Sequence, residues 1–86
     1  MGVNTQQELS EASRWIFKRN ARKAMEAGVI IIDPRATYIE SEVMIGAGSV
    51  LYPGAFLKGQ TAIGPFCVIE PNVFIQDCLI EQAAQI

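Results

Sequence analysis

Seven aliphatic residues stand six apart without a slip: Ile39, Ile45, Leu51, Leu57, Ile63, Ile69 and Ile75. A helix repeats about every 3.6 residues and a strand every two, so a step of six spans three strand repeats and no whole number of helical turns. A short strand and a turn fill one such hexad. Gly, Pro, Ser or Asn recurs in the middle of most of them, where a turn is needed. Three strands closing a triangle make one coil of about 18 residues, with neighbouring coils about 4.8 Å apart along parallel hydrogen bonds. The aliphatic residue then points into the triangle, where its burial contributes about 1.5–3 kcal/mol. The interior position two residues before the next aliphatic falls on Val43, Ser49, Ala55, Thr61, Cys67, Val73 and Leu79, which are mostly small. No charge falls on either set. The pattern predicts a mainly β chain, a hexapeptide-repeat parallel β-helix of about three coils over residues 29–86.

The residue just before each aliphatic points outward: Tyr38, Met44, Val50, Phe56, Ala62, Val68 and Phe74. All are apolar or aromatic, where water would favour polar groups. Sorted by coil, Tyr38, Phe56 and Phe74 share one wall, Val50 and Val68 a second, and Met44 and Ala62 the third. An exposed aromatic ladder marks a contact surface. Tyr38, Phe56 and Phe74 are therefore expected to pack against another subunit or against the helix that precedes the hexads. The period slips once, because Ile80 follows Ile75 after five residues and Ile86 then resumes the six. One residue missing at a corner accounts for this. The pattern runs to the last residue with no polar cap, and an open solenoid end is an aggregation hazard. A second chain or a continuation of the same one is expected to cover it.

Residues 5–27 obey a different grammar and are expected to form one long helix, so that residues 1–28 make an N-terminal segment apart from the β-helix. Thr5 and Glu8 make a capping box, and Gly28 is a C-terminal stop. Leu9, Ala12, Ile16, Ala24 and Ala27 approximate one apolar stripe, widened by Trp15 and Phe17. Acidic Glu8 and Glu11 precede basic Lys18, Arg19, Arg22 and Lys23, an order that suits the helix dipole. Through residue 27 the charge is +5 against −3, and from 28 onward +2 against −6. The two segments are electrostatically complementary, within one chain or between chains.

The chain of 86 residues has a net charge of −2, which argues against nucleic acid as a partner. No apolar run approaches the roughly 18 residues of a membrane span, and the start lacks a basic-then-apolar leader. A cytoplasmic protein is expected. Cys67 and Cys78 lack metal or redox spacing and are expected to be two buried thiols. Histidine is absent, which removes the commonest general base and metal ligand. Chemistry would fall on Tyr52, Lys58 and the carboxylates Glu40, Glu42 and Glu70, each of which also reads as an exposed turn or face residue.

Three stretches carry a family resemblance: "GVN" at 2–4, "AGVIIIDP" at 27–34, and "TYIESEVMIGAGSVLYPGAFLKGQTAIG" at 37–64, with the long charged helix between the first two. In this order they resemble the middle of the bifunctional N-acetylglucosamine-1-phosphate uridyltransferase/glucosamine-1-phosphate N-acetyltransferase family. The resemblance covers nearly the whole chain and implies that the β-helix is left-handed. It implies a homotrimer assembled through the β-helices, with an end-to-end dimer of trimers as a further possibility of the open end. It also implies a link to UDP-N-acetylglucosamine synthesis, a family activity that uses Mg²⁺ and acetyl-CoA. Asn4 matches the family asparagine that helps hold Mg²⁺, but Thr5-Gln6 departs from the Asp-Arg or Asn-Arg that follows it there. The family's glycine-rich nucleotide loop and acetyltransferase histidine match nothing in this chain. The expectation is therefore a non-catalytic trimerising scaffold, a fragment or a short relative of that enzyme, with no cofactor of its own. The alternative is a transferase component whose site is completed by another domain or chain.

Overall fold

The computed structural model describes residues 6–86. Helix α1 (Gln6–Glu26) is followed by nine short strands. They are β1 (Ile30–Ile31), β2 (Tyr38–Ile39), β3 (Met44–Ile45), β4 (Val50–Leu51), β5 (Phe56–Lys58), β6 (Ala62–Ile63), β7 (Val68–Ile69), β8 (Phe74–Gln76) and β9 (Leu79–Ile80). Every third strand stacks on the last, giving the parallel sheets β1-β4-β7, β2-β5-β8 and β3-β6-β9. This is the left-handed parallel β-helix after one long helix, with three coils and three walls.

The hexad explains the register. Tyr38 pairs with Phe56 and Phe56 with Phe74, so each step down that wall is one full coil. Main-chain N–H groups donate to the coil below, as from Tyr38 to Ala55 O at 2.9 Å and from Val50 to Cys67 O at 2.8 Å. The first corner is larger, since Ile30 pairs with Val50, 20 residues on. A 3₁₀ turn over Pro34–Ala36 takes up the extra length. Asp33 caps it by accepting from the Arg35 N–H at 3.1 Å, and Pro34 fits the first turn, where no N–H is needed.

Most of the interior is the predicted one. Ile39, Leu51, Leu57, Ile63, Ile69 and Ile75 are buried, and the small partners Ser49, Ala55, Thr61 and Cys67 are as closed as the core aliphatics. Hydroxyls fit there because each finds a partner. Ser49 Oγ donates to Gly64 O at 2.9 Å and accepts the Cys67 N–H at 3.1 Å. Thr61 Oγ1 donates to Lys58 O at 2.7 Å. Among the described residues no buried side-chain polar atom lacks a hydrogen-bond partner, as a stable core requires.

Two interior expectations are corrected at the last coil. Leu79 is not an inward small partner. Ala62 pairs with Leu79 and Ile63 with Ile80, so the one-residue deletion moves Leu79 to the outward column below Met44 and Ala62. Cys78 takes the inward register instead, its N–H directed at Thr61 Oγ1 at 3.4 Å. Cys67 is buried as expected, but Cys78 is exposed. No described coil lies beneath it to close the triangle.

Helix α1 ends where Gly28 predicts. Gly28, at φ +98°, is the left-handed residue of a Schellman motif. Its N–H donates to Met25 O at 3.1 Å, and the Val29 N–H reaches Ala24 O at 3.0 Å. The capping box at the other end involves Thr5, which lies outside the described residues. The packed face of α1 differs from the expected stripe. Leu9, Ala12, Ile16 and Trp15 are exposed, whereas Asn20 and Ala21 are buried and Phe17 and Ala24 half-buried. Phe17, Asn20, Ala21 and Ala24 recur at helical spacing, so they form the contact stripe. It crosses the 3₁₀ turn, β1 and β2. Short alanines let the helix approach closely, and Ala21 and Ala24 join the core cluster with Val29, Ile31 and Ile39.

Candidate functional site

The aromatic ladder forms as the 18-residue spacing predicts. Ring centroids lie 5.5 Å apart for Tyr38 and Phe56, and 5.6 Å for Phe56 and Phe74. The rings tilt by 31° and 35°, so the strand pitch holds them in offset stacks. The long helix fills the upper part of the wall. Phe17 stands edge-on to Tyr38 at 5.5 Å and to Phe56 at 5.8 Å, with interplanar angles of 79° and 73°. Its positive ring edge meets their negative faces. Phe74 lies below this cover and is 61% exposed.

Asn20 locks the helix in place. It is 7% exposed in mid-helix, and its Nδ2 donates to Ile39 O at 2.7 Å and to Ser41 Oγ at 3.3 Å. The Ile39 carbonyl belongs to the first coil, with no coil above to pair it, so the carboxamide satisfies an open sheet edge. Asn20 was not among the sequence candidates. Its signal was that an amide is a weak helix former, set among good ones in "FKRNARKAM".

A groove of about 770 Å³ opens beside the helix. Arg19, Asn20, Lys23 and Ala27 line one side, and the β3-β6-β9 wall lines the other. It exists because α1 makes its main contacts with β1, the 3₁₀ turn and β2 of the first coil, leaving Ile45 of β3 half-buried. On this wall Met44 is 72% and Leu79 80% exposed, with small Ala62 between them in register. Arg19 also leans over Trp15 at 5.1 Å, a surface cation–π contact.

The residues proposed for chemistry do not converge. Glu40 Oε1 accepts the Gly59 N–H at 3.0 Å, at the corner where Lys58 follows Leu57 in register with Ile39. Tyr52 and Glu70 follow Leu51 and Ile69 on the corner after β4 and β7, where Glu70 Oε2 accepts from Gln85 Nε2 at 2.6 Å. Glu42 is exposed in the turn before β3. Two of the three carboxylates thus serve as structural acceptors. Among the described residues no group of three or more His, Cys, Asp or Glu side chains assembles. That donor set does not fit a divalent cation, which takes several oxygen ligands. Asn4 lies outside the described residues. Among those residues no helix is long and apolar enough to cross a membrane.

No family model matches the chain. Individual relatives do. The chain is 55% identical over all 86 residues to the bifunctional protein GlmU of Bdellovibrio bacteriovorus, covering 19% of that protein. It is 49% identical over 80 residues to GlmU of Geobacillus sp., covering 93% of this chain and 17% of the relative. With GlmU of Trichlorobacter lovleyi the identity is 41% over 86 residues and 19% of the relative. The chain therefore spans less than a fifth of the length of these curated relatives.

Proposed function

The chain belongs by sequence to one segment of the bifunctional GlmU family, and on that premise we propose that it is a non-catalytic scaffold segment which assembles as a homotrimer. The enzyme it serves would be the cytoplasmic one that makes UDP-N-acetylglucosamine. One observation carries this reading. The side chains capable of chemistry divide between corners, where Glu40 and Glu70 are held as structural acceptors, while outward apolar side chains such as Ile30, Met44 and Leu79 stand exposed on two walls. Such a molecule is built to be packed against rather than to turn over a substrate. Neither Mg²⁺ nor acetyl-CoA is assigned to residues of this chain. The test is solution mass by light scattering across a range of concentrations. A mass of three chains supports the scaffold, and a monomer throughout rejects it.

A second reading rests on the short coverage of relatives that are bifunctional. The chain would contribute one wall of a nucleotidyl- or acetyltransferase site completed by another domain or chain. Calorimetric titration with acetyl-CoA separates the two. Saturable binding by the folded chain favours the transferase component, and no heat favours the scaffold.

A further inference from the structure

We infer that the upper end of the solenoid is a docking face for the lower end of a second copy, and that α1 holds it shut. The inference goes beyond the trimeric reading and does not rest on it. Strands β1, β2 and β3 are the outermost members of their sheets. The Tyr38 and Glu40 N–H groups donate down to Ala55 O and Leu57 O, so the main chain of Ile39 between them faces up, away from the coils. An open edge of this kind recruits further strands. Helix α1 crosses it. Ala21, 1% exposed, and Ala24 close over Val29, Ile31 and Ile39, and Asn20 Nδ2 donates to the Ile39 carbonyl at 2.7 Å.

The lower end supplies the occupant. Residues 84–86 already run beneath β7, since the Val68 N–H donates to Ala84 O at 2.8 Å and the Glu70 N–H to Ile86 O at 3.0 Å. The solenoid therefore stops one strand into a fourth coil, and among the described residues nothing pairs beneath β8, β9 or 84–86. A second copy turned by one wall continues it without a gap. Its β1 falls under β8, its β2 under β9 and its β3 under 84–86, all parallel. The inward residues then meet as Ile31 under Ile75, Ile39 under Ile80 and Ile45 under Ile86, which extends the aliphatic column. Between coils of one chain the Gly46 N–H donates to Ile63 O at 2.7 Å and the Gly64 N–H to Ile80 O at 2.8 Å. By the same register the Glu81 N–H of the upper copy would donate to the lower copy's Ile39 carbonyl, the acceptor that Asn20 occupies. Docked α1 and a stacked second copy thus compete for one face. A head-to-tail contact of this kind does not close, so an uncapped chain would grow into rods.

The test uses the full chain, with circular dichroism to confirm the β-helix, light scattering for mass and electron microscopy for shape. Ala21→Arg forces a long cation into the seat of the helix. Ile86→Asp places a charge at the lower end, on a side chain 44% exposed within one chain. The wild type should keep a small, fixed mass. A21R should gain about tenfold or more in mass and form unbranched rods, and the A21R/I86D double variant should return to the wild-type mass. Should A21R lose the β-helix signal, Asn20→Asp replaces it, because a carboxylate offers the Ile39 carbonyl no donor. A folded cap variant that keeps the wild-type mass overturns the inference. So does growth that Ile86→Asp leaves untouched, growth without rods, or a wild type that elongates with its helix docked. Each of these leaves the trimeric scaffold reading standing, since that reading is judged on the wild-type mass alone.

Discussion

The aromatic wall and the methionine wall use the same outward position of the hexad at the same pitch, yet one is covered and the other open. On the first, Tyr38 and Phe56 take the edge of Phe17. On the second, Met44 and Leu79 stand out beside a groove. The coils beneath are equivalent, so the difference comes from where α1 lies. A solenoid repeats its interior by rule, but its outside is differentiated by what a neighbouring element happens to cover.

What the two walls share should show the largest effect. Leu57 is fully buried in the core cluster that the walls share. Leu57→Ala is expected to cost about 2–5 kcal/mol, the usual range for a core leucine. Both walls should melt together, with far-ultraviolet dichroism and Trp15 fluorescence giving one denaturant midpoint. Two separated transitions would mean that the helix and the coils are independently stable, and the comparison would lose its common base.

Next comes the contact that closes the aromatic wall. Phe17→Ala removes two edge-on pairs, each worth about 0.5–1.5 kcal/mol, and some buried area. A loss of about 2 kcal/mol is expected in the unfolding free energy. Asn20→Ala should follow at about 1–2 kcal/mol, because the Ile39 carbonyl would lose a buried donor. Its effect should be local. Hydrogen exchange should quicken in α1 before it does in β5 and β8. If Asn20→Ala instead loosened the coils first, the helix would be a passenger and not the cover.

The β-helix was legible almost to the residue because its signal is redundant. Each of the positions from Ile39 to Ile75 repeats the same demand, and even the deletion before Ile80 announces itself as a broken step. The consequence of that deletion was harder to see, because moving the register by one residue exchanges inside for outside. This sent Leu79 outward and brought Cys78 under Thr61. The helix shows the opposite case. It has two apolar stripes to choose from, and the longer side chains of Leu9 and Ile16 favour the wrong one. The stripe it uses holds Asn20 and two alanines. Its partners, the Ile39 carbonyl and the stacked Tyr38 and Phe56 rings, exist as a surface only once the chain has coiled. The candidate site was therefore half visible, with its aromatic column written in the spacing and its cover and groove set by tertiary packing.

The smallest expected effect sharpens the comparison most. Phe74→Ser removes one stacked pair with Phe56 and should cost about 1 kcal/mol. Met44→Ser removes a side chain that is 72% exposed and whose neighbour down the wall is only Ala62. In a dilute monomeric sample its effect should stay within about 0.5 kcal/mol, as for surface substitutions that break no special contact. The two values should also respond differently to protein concentration. The Phe74 loss is intramolecular and should remain constant. The Met44 loss should grow as copies associate, because a side chain buried by a neighbour contributes to stability only when the neighbour is there. A Met44→Ser loss that is large at every dilution would show that its wall is already closed within one chain, and the contrast between the two walls would disappear.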